Sequence, residues 1–423
     1  MSRIRWHLAA IFIATAFVAS RPLVHGDAPP DAAAPLFDDS VVHRLDLLIN
    51  ARDWQSLQDN YLDDTYYPAD FKTDNQTVRN IGIRSRGTGS RSGTKPGLKI
   101  DFNHYLTSQS FLGLKQFVLR NQTQDASNMH ETISMLLYRR IGVKALREAF
   151  ATLYINNNYA GVYTIVEAVD EVFVGRWLGD SQGNVYKYEY PADAQPWYFA
   201  DKGSDPSVYV PAPFKPETNT TDPHPEAIRD WVRSVNSDSD AAFPINIKQW
   251  LDWDNFVKHI AVENFVADQD GFNGDYGVNN FYLYRWTNSA KLTFIPWDKS
   301  EAFKDPFDLP IFHNFLDGDP AKRNKLSGRA MAIDEARNGY LDALLALAKT
   351  ASELDATNPS DTRGWMEREV EREYGLIKAL VYADTKKPFS NDDFEAAVDV
   401  LRNFARQRPA NVTTQVNNFR AGR

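Results

Sequence analysis

The chain has no cysteine, which removes disulfides, thiolate metal sites and cysteine nucleophiles together, so its stability must come from packing. It has no lysine or arginine run, and its formal net charge is -9. That balance excludes the broad basic footprint of a nucleic-acid binder and a polybasic membrane patch; an anionic ligand must be met by a few placed cations or a metal. Beyond the amino terminus no segment approaches the roughly 18 uninterrupted apolar residues of a membrane span. There is no internal repeat, no nucleophile elbow of the Gly-x-Ser-x-Gly kind, and no histidine at metal-ligand spacing from another, His130 and His259 included.

What is present is 423 residues, 43% hydrophobic and 13% aromatic with 10 Trp, a composition that supports a sizeable globular core. The amino terminus carries Arg3 and Arg5, an apolar run from Leu8 to Ala19, and then small residues. That order is a secretory signal peptide, read over 1–26, with an uncleaved anchor as the alternative. An Ala/Pro/Asp-rich linker follows over 27–38. The expectation is an exported protein, secreted or cell-surface, with no stable membrane insertion after cleavage. Sequons at Asn75, Asn121, Asn219 and Asn411 matter only in a host that glycosylates.

From about Leu36 the pattern is rich in strands. "VVHRLDLLI" reads as a strand, and Trp54, Leu57 and Tyr61 give a short amphipathic helix. "VRNIGIRSRGTGSRSGTKPGLKIDFNHY" reads as strand, Gly/Ser/Thr/Arg loop, strand, ending the first near Arg86 and placing Lys99 on the second. A further strand leads to a helix with Asn128 and Glu131 at capping-box spacing and an apolar face of Ile133, Leu136, Leu137 and Ile141. Phe150/Thr152/Tyr154 and Val162/Thr164/Val166 flank an Asn-rich turn as a hairpin. Residues 190–245 look like an irregular surface excursion, "DWDNFVKHIAVENFVADQD" like a helix, and the chain beyond Phe303 like helices. The class is α+β, with 39–303 as the main domain and 304–423 as its helical extension.

The chemistry concentrates in "DGFNGDYGVNNFYLYRWTNSAKLTFIPWDKSEAF", Asp270 to Phe303. A hairpin between Asn280 and Asp298 folds the chain back, so carboxylates at Asp270 and Asp298 can converge beside the Asn280 amide. Such oxygens suit Mg²⁺ or Mn²⁺, and with a phosphate-binding cation they are the parts that phosphoryl transfer needs. Lys99, under a glycine-containing loop, is a candidate cation. Bland readings stand beside these. Asp270-Gly271 is also a turn pair, Asp298 a strand-end or cap residue, Asn280 a turn former, Lys99 a surface lysine and Glu131 its own helix cap.

The segments "IGIRSRGTGSRSGTKPGLKIDF", "FLGLKQFVLRNQTQDASNMHE", "LYINNNYAGVYTIVEAVD", "NNFYLYR" and "FIPWDKSEAF", in this order, resemble the spore coat protein H (CotH) kinase family. The resemblance implies an atypical protein-kinase-like two-lobe fold, with an antiparallel β-rich N-terminal lobe and a helical C-terminal region. It further implies a kinase that uses ATP and Mg²⁺ or Mn²⁺ to phosphorylate Ser/Thr of protein substrates. By it Asp270 is the catalytic acid/base, and Asp298 and Asn280 are the metal residues. Lys99 binds phosphate with Glu131 as its helix partner, and Glu167 lies near the nucleotide. The phosphate loop departs from the family pattern in holding extra arginines, Arg84, Arg86 and Arg91, open to binding phosphate or a neighbouring acid, with Arg86 the candidate for the nucleotide. Asp275, five residues before Asn280, repeats the D-x-x-x-x-N spacing of kinase catalytic loops and competes with Asp270. Two other classes stay open: a surface-binding, adhesin-like protein using aromatic-rich 190–215, and a carbohydrate-binding protein with an exposed Trp/Tyr cluster.

Overall fold

Alternating apolar residues build the first half of the chain into a closed sheet. The computed structural model describes residues 31–73, 76–190, 195–304 and 306–422; the expected signal peptide lies outside the described residues. Seven strands form the sheet: β1 (His43–Ile49), β2 (Tyr67–Thr73), β3 (Gln76–Ser85), β4 (Leu98–Asp101), β5 (Gln116–Arg120), β6 (Glu148–Ile155) and β7 (Asn158–Glu167). They close into a barrel in the order β1-β2-β3-β4-β5-β7-β6. Neighbours are antiparallel except β1 and β6, which seal the barrel in parallel with Leu47 opposite Ile155. One face of the strands fills the interior with Leu45, Leu47, Phe71, Ile83, Ile100 and Phe117 among others. Leu36 and Phe37, on a 3-10 turn over Ala34–Phe37, join that core, so the compact unit that holds the barrel begins at Ala33, inside the stretch read as a linker.

A second sheet of four strands carries the rest of the site. Its order is β11 (Leu292–Pro296), β10 (Phe281–Arg285), β8 (Asn184–Tyr188), β9 (Phe214–Pro216). The helices are α1 (Ala51–Asp59), α2 (His130–Arg140), α3 (Glu171–Leu178), α4 (Pro225–Ser237), α5 (Phe243–Trp250), α6 (Trp253–Phe265), α7 (Lys325–Met331), α8 (Asp334–Ala351), α9 (Trp365–Ala383) and α10 (Asn391–Arg420). The 190–245 stretch therefore differs from its reading as an irregular surface excursion: it contains β9, α4 and the start of α5. Ile228, Trp231, Val232 and Val235 recur at helical spacing and are buried, a pattern that the surrounding Pro and Asp residues mask. Trp197, Phe199, Tyr209 and Phe214 are also buried, which removes the aromatic contact surface expected over 190–215. No tryptophan is among the large exposed hydrophobics of the described residues.

Behind β10 and β11 the rings of Phe272, Phe281 and Phe294 pack with centroids 5.1–5.2 Å apart, which explains why these strands are so aromatic. The helical end is joined to this core. Buried Arg408 of α10 donates to the carbonyls of Asn264 and Phe265 at the C-terminus of α6, and to those of Phe307 and Leu309. Among the described residues no helix is long and apolar enough to cross a membrane.

Candidate functional site

The barrel and the second sheet enclose a cavity of about 410 Å³. Its lining brings together the loop after β3 (Arg86, Thr88, Gly89, Ser90), β8 with its following residues (Lys187 to Tyr190), the loop after α6 (Asp270, Asn279, Asn280) and the end of β11 (Trp297, Asp298). Three of the residues singled out by sequence meet here as a unit. Asn280 Nδ2 donates to Asp270 Oδ2 at 2.9 Å and Asn279 Nδ2 to Asp270 Oδ1 at 3.0 Å. Asp298 follows β11 in the left-handed region, φ +49°, which turns the chain sharply at the cavity wall. Such a conformation costs a non-glycine residue about 1 kcal/mol or more, so its neighbours must hold it.

They do so electrostatically. Arg120, at the end of β5, donates to Asp298 Oδ2 at 2.6 Å and also pairs with Glu131 of α2; Ser300 Oγ donates to Asp298 Oδ1 at 2.9 Å. Burial works against the Asp298 carboxylate, but Arg120 and Ser300 outweigh it and hold the group below the ordinary carboxylate range. For Asp270 the balance falls the other way. Burial pushes its carboxyl up to about 7, only partly countered by Asn279, with Asp268 and Asp298 adding repulsion. Two carboxylates facing one cavity are thus set apart, one firmly ionised and one poised near neutrality. Beside them the Arg86 guanidinium lies 5.3 Å from the Trp297 ring centroid, and among the described residues it has no carboxylate within ion-pair distance. Burial, then Arg120, brings Arg86 down to about 10.

A buried charge network supports both carboxylates from behind. Lys299, fully buried, reaches Glu263 of α6 at 2.9 Å and Asp268 at 2.7 Å. Asp268 Oδ1 accepts the Asp270 backbone N–H, and Glu263 Oε1 accepts that of Phe272. The residue after Asp298 thereby fixes the loop that carries Asp270. Gly271 belongs to this arrangement, because a Cβ there would stand 2.6 Å from Asp268 Oδ2 and Glu263 Oε1. His259 adds a contact to Glu263 at 3.2 Å, a structural role.

Other expected site residues lie elsewhere. Lys99 is flanked on β4 by interior-facing Leu98 and Ile100, so the period of two turns it outward, where its Nζ is 3.6 Å from Asp101 and near the Tyr66 ring. It does not line the cavity, and the expected lysine–glutamate pair is corrected to Arg120–Glu131. Glu167 closes β7 in a separate cluster with Arg147 and Arg176. Arg84 and Arg91 both turn to Asp64. Asp275 accepts from His313 and Asn314 and does not line the cavity, whereas Asp270 does. The capping box at Asn128 and Glu131 is not formed. Asp125 accepts the N–H of His130 at the start of α2, which leaves Glu131 for Arg120. Sequence reasoning missed Arg120, Lys187 and Lys299; the available signal for Arg120 was a charged residue two positions beyond Val118, on the outer face of an otherwise apolar strand.

Fold and site define a class: a mixed α+β protein, β-rich at its amino-terminal end and helical towards its carboxyl end, with a charged cavity lined by paired Asp and Asn side chains. A family model described as CotH kinase protein matches residues 83–412, and the chain belongs to that family. It is 25% identical over 366 residues to the inner spore coat protein H of Bacillus subtilis, covering 86% of this chain and 94% of that protein. It is 23% identical over 254 residues to invasin CotH3 of Rhizopus delemar, covering 57% of this chain but only 40% of that protein. A solved complex of the Shewanella oneidensis toxin–antitoxin system HipA, HipB and its operator DNA matches at 12% identity with a TM-score of 0.31, over 80% of this chain and 63% of that chain, a likeness too low to carry an argument.

Proposed function

We propose that the protein is an exported, atypical two-lobed protein kinase that transfers the γ-phosphate of ATP to Ser or Thr of a protein. The observation that carries this is the convergence of Asp270, Asn280 and Asp298 on one cavity, opposite an Arg86 that has no carboxylate partner of its own among the described residues. The donor set fits a hard divalent cation. Asp298 and Asn280 offer oxygens, and among the described residues no three His, Cys, Asp or Glu side chains gather into a ready-made cage. Mg²⁺ or Mn²⁺ taking one or two oxygens from the chain and the rest from phosphate and water fits that set. A bound cation would neutralise charge on the β- and γ-phosphates.

The chain's own groups supply the rest. Arg86 offsets phosphate charge. Asp270, held by two asparagine amides, accepts the proton of the acceptor hydroxyl as its oxygen bonds to the γ-phosphorus and the bond to the bridging oxygen breaks, leaving ADP. Asp270 must be ionised to do this, so kcat/KM is expected to rise with pH, bend near 7 and stay level above it, in a profile that Asp270→Asn removes together with most activity. The decisive assay is Mn²⁺- or Mg²⁺-dependent transfer of labelled γ-phosphate to the protein itself and to an acidic protein acceptor. No transfer and no metal-dependent nucleotide binding would move the reading to a surface-binding protein on a kinase-like scaffold, which the name of the fungal relative favours and the burial of Trp197, Phe199, Tyr209 and Phe214 disfavours.

A further inference from the structure

The loop from Arg86 to Gly97 forms one wall of the cavity, yet its firmest anchor comes from the other end of the chain. Lys95 Nζ lies 2.6 Å from Asp384 Oδ2, both side chains 1% exposed, across 289 residues of sequence. Asp384 follows α9. Its carboxylate also accepts the N–H groups of Val162 on β7 and of Lys386 and Lys387, so it is satisfied from several directions. The barrel makes room for it: Gly161 sits at φ +123°, and a Cβ there would be 2.4 Å from Asp384 Oδ2. Lys95 in turn lies over the Tyr163 ring, whose hydroxyl donates to the Pro96 carbonyl.

From Lys95 the constraint reaches the part of the loop that faces the cavity. Asn121 Nδ2 donates to the carbonyls of both Lys95 and Ser90, at 2.7 and 2.8 Å, and Arg91 closes the loop on the Gly87 carbonyl. Asn121 is itself buried, so its sequon cannot carry a glycan in the folded protein. The glycine-containing loop is therefore tied down along its length, unlike one left free to close on a ligand.

We infer that Lys95 and Asp384 are positioning residues for the nucleotide phosphates: their buried ion pair lets the carboxyl-terminal helices set the backbone that Arg86, Thr88, Gly89 and Ser90 present to the cavity. This rests on the kinase reading of that cavity. Misplacing phosphate-binding backbone weakens ligand positioning far more than it weakens the fold. Lys95→Met is the useful variant because Asp384 keeps its three backbone donors, and Lys95→Met/Asp384→Asn removes the remaining charge.

The test measures hydrogen exchange of the 86–97 loop, affinity for ATP with Mg²⁺, and KM for ATP against KM for the protein acceptor, at a temperature well below the melting of every variant. Expected are faster exchange confined to 86–97, ATP affinity and KM worse by about tenfold or more, and an unchanged acceptor KM, in the single and the double variant alike. Unchanged loop exchange, or ATP affinity that returns to normal in the double variant, overturns the inference alone. Failure of the unaltered protein to bind ATP overturns the kinase reading and the inference with it.

Discussion

Replacing Asp298 by alanine is expected to lower phosphate transfer by at least about a thousandfold while the protein stays folded. The magnitude follows from the work assigned to this side chain: phosphoryl transfer is catalysed mainly by fixed charge, and losing one such element costs about three orders of magnitude. The survival of the fold follows from its neighbours. Arg120 keeps Glu131 as a buried partner when Asp298 is removed, so no bare guanidinium is left inside. Asp298→Asn is the cleaner companion, since asparagine tolerates the left-handed backbone at this position and retains an oxygen for Arg120. Circular dichroism checks the fold and labelled phosphate transfer the activity; full turnover in either variant sinks the metal-residue assignment.

The second large effect concerns stability. Lys299→Met should destabilise the protein by about 3–5 kcal/mol, because it leaves Glu263 and Asp268 buried without their shared cation. The pH dependence of the Glu263 contribution should change sign as well, whereas Asp268, which burial already pushes up to about 6 despite Lys299, keeps its sign. In the unaltered protein burial opposes the Glu263 charge, but Lys299 and His259 hold this carboxylate below its ordinary range. Its contribution is therefore present above the unfolded value near 4 and is lost as pH falls through the lower folded value. Without Lys299 burial is uncompensated, so the folded pKa of Glu263 moves above its ordinary range and that of Asp268, already raised, rises further. The variant is then most stable below about pH 4 and weakens as pH rises through the raised value. Urea unfolding at several pH values reads both effects, and an unchanged slope with pH would show that Lys299 does not neutralise this pair.

What could be read from sequence was local. Asp270, Asn280 and Asp298 converge because one hairpin, β10 to β11, connects two of them and a short loop supplies the third, all within a span where alternation and turn residues speak clearly. Six of the barrel strands and α6 were visible for the same reason, while β2, Tyr67–Thr73, was not read. Illegible were features decided at long range. Nothing in "HRLDLLI" says that β1 will lie parallel to β6 and turn an open sheet into a barrel. Lys99 and Arg120 are each a cation at a strand position, and only the pairing of β4 with β5 and the docking of α2 decide which one meets Glu131. Lys299 looked like any lysine after a strand, since its burial depends on two acids that arrive from α6 and the loop beyond it.

The Lys95–Asp384 pair also has a consequence for how the molecule is made. All seven barrel strands lie before residue 168, so a chain emerging from its amino end has the whole barrel long before the acid that anchors the 86–97 loop has been synthesised. Contacts of such sequence separation form late and slowly. A product cut short before residue 384 would hold every barrel strand and the Asp298 turn yet lack the anchor for that loop, so maturation of the nucleotide wall is tied to completion of the polypeptide.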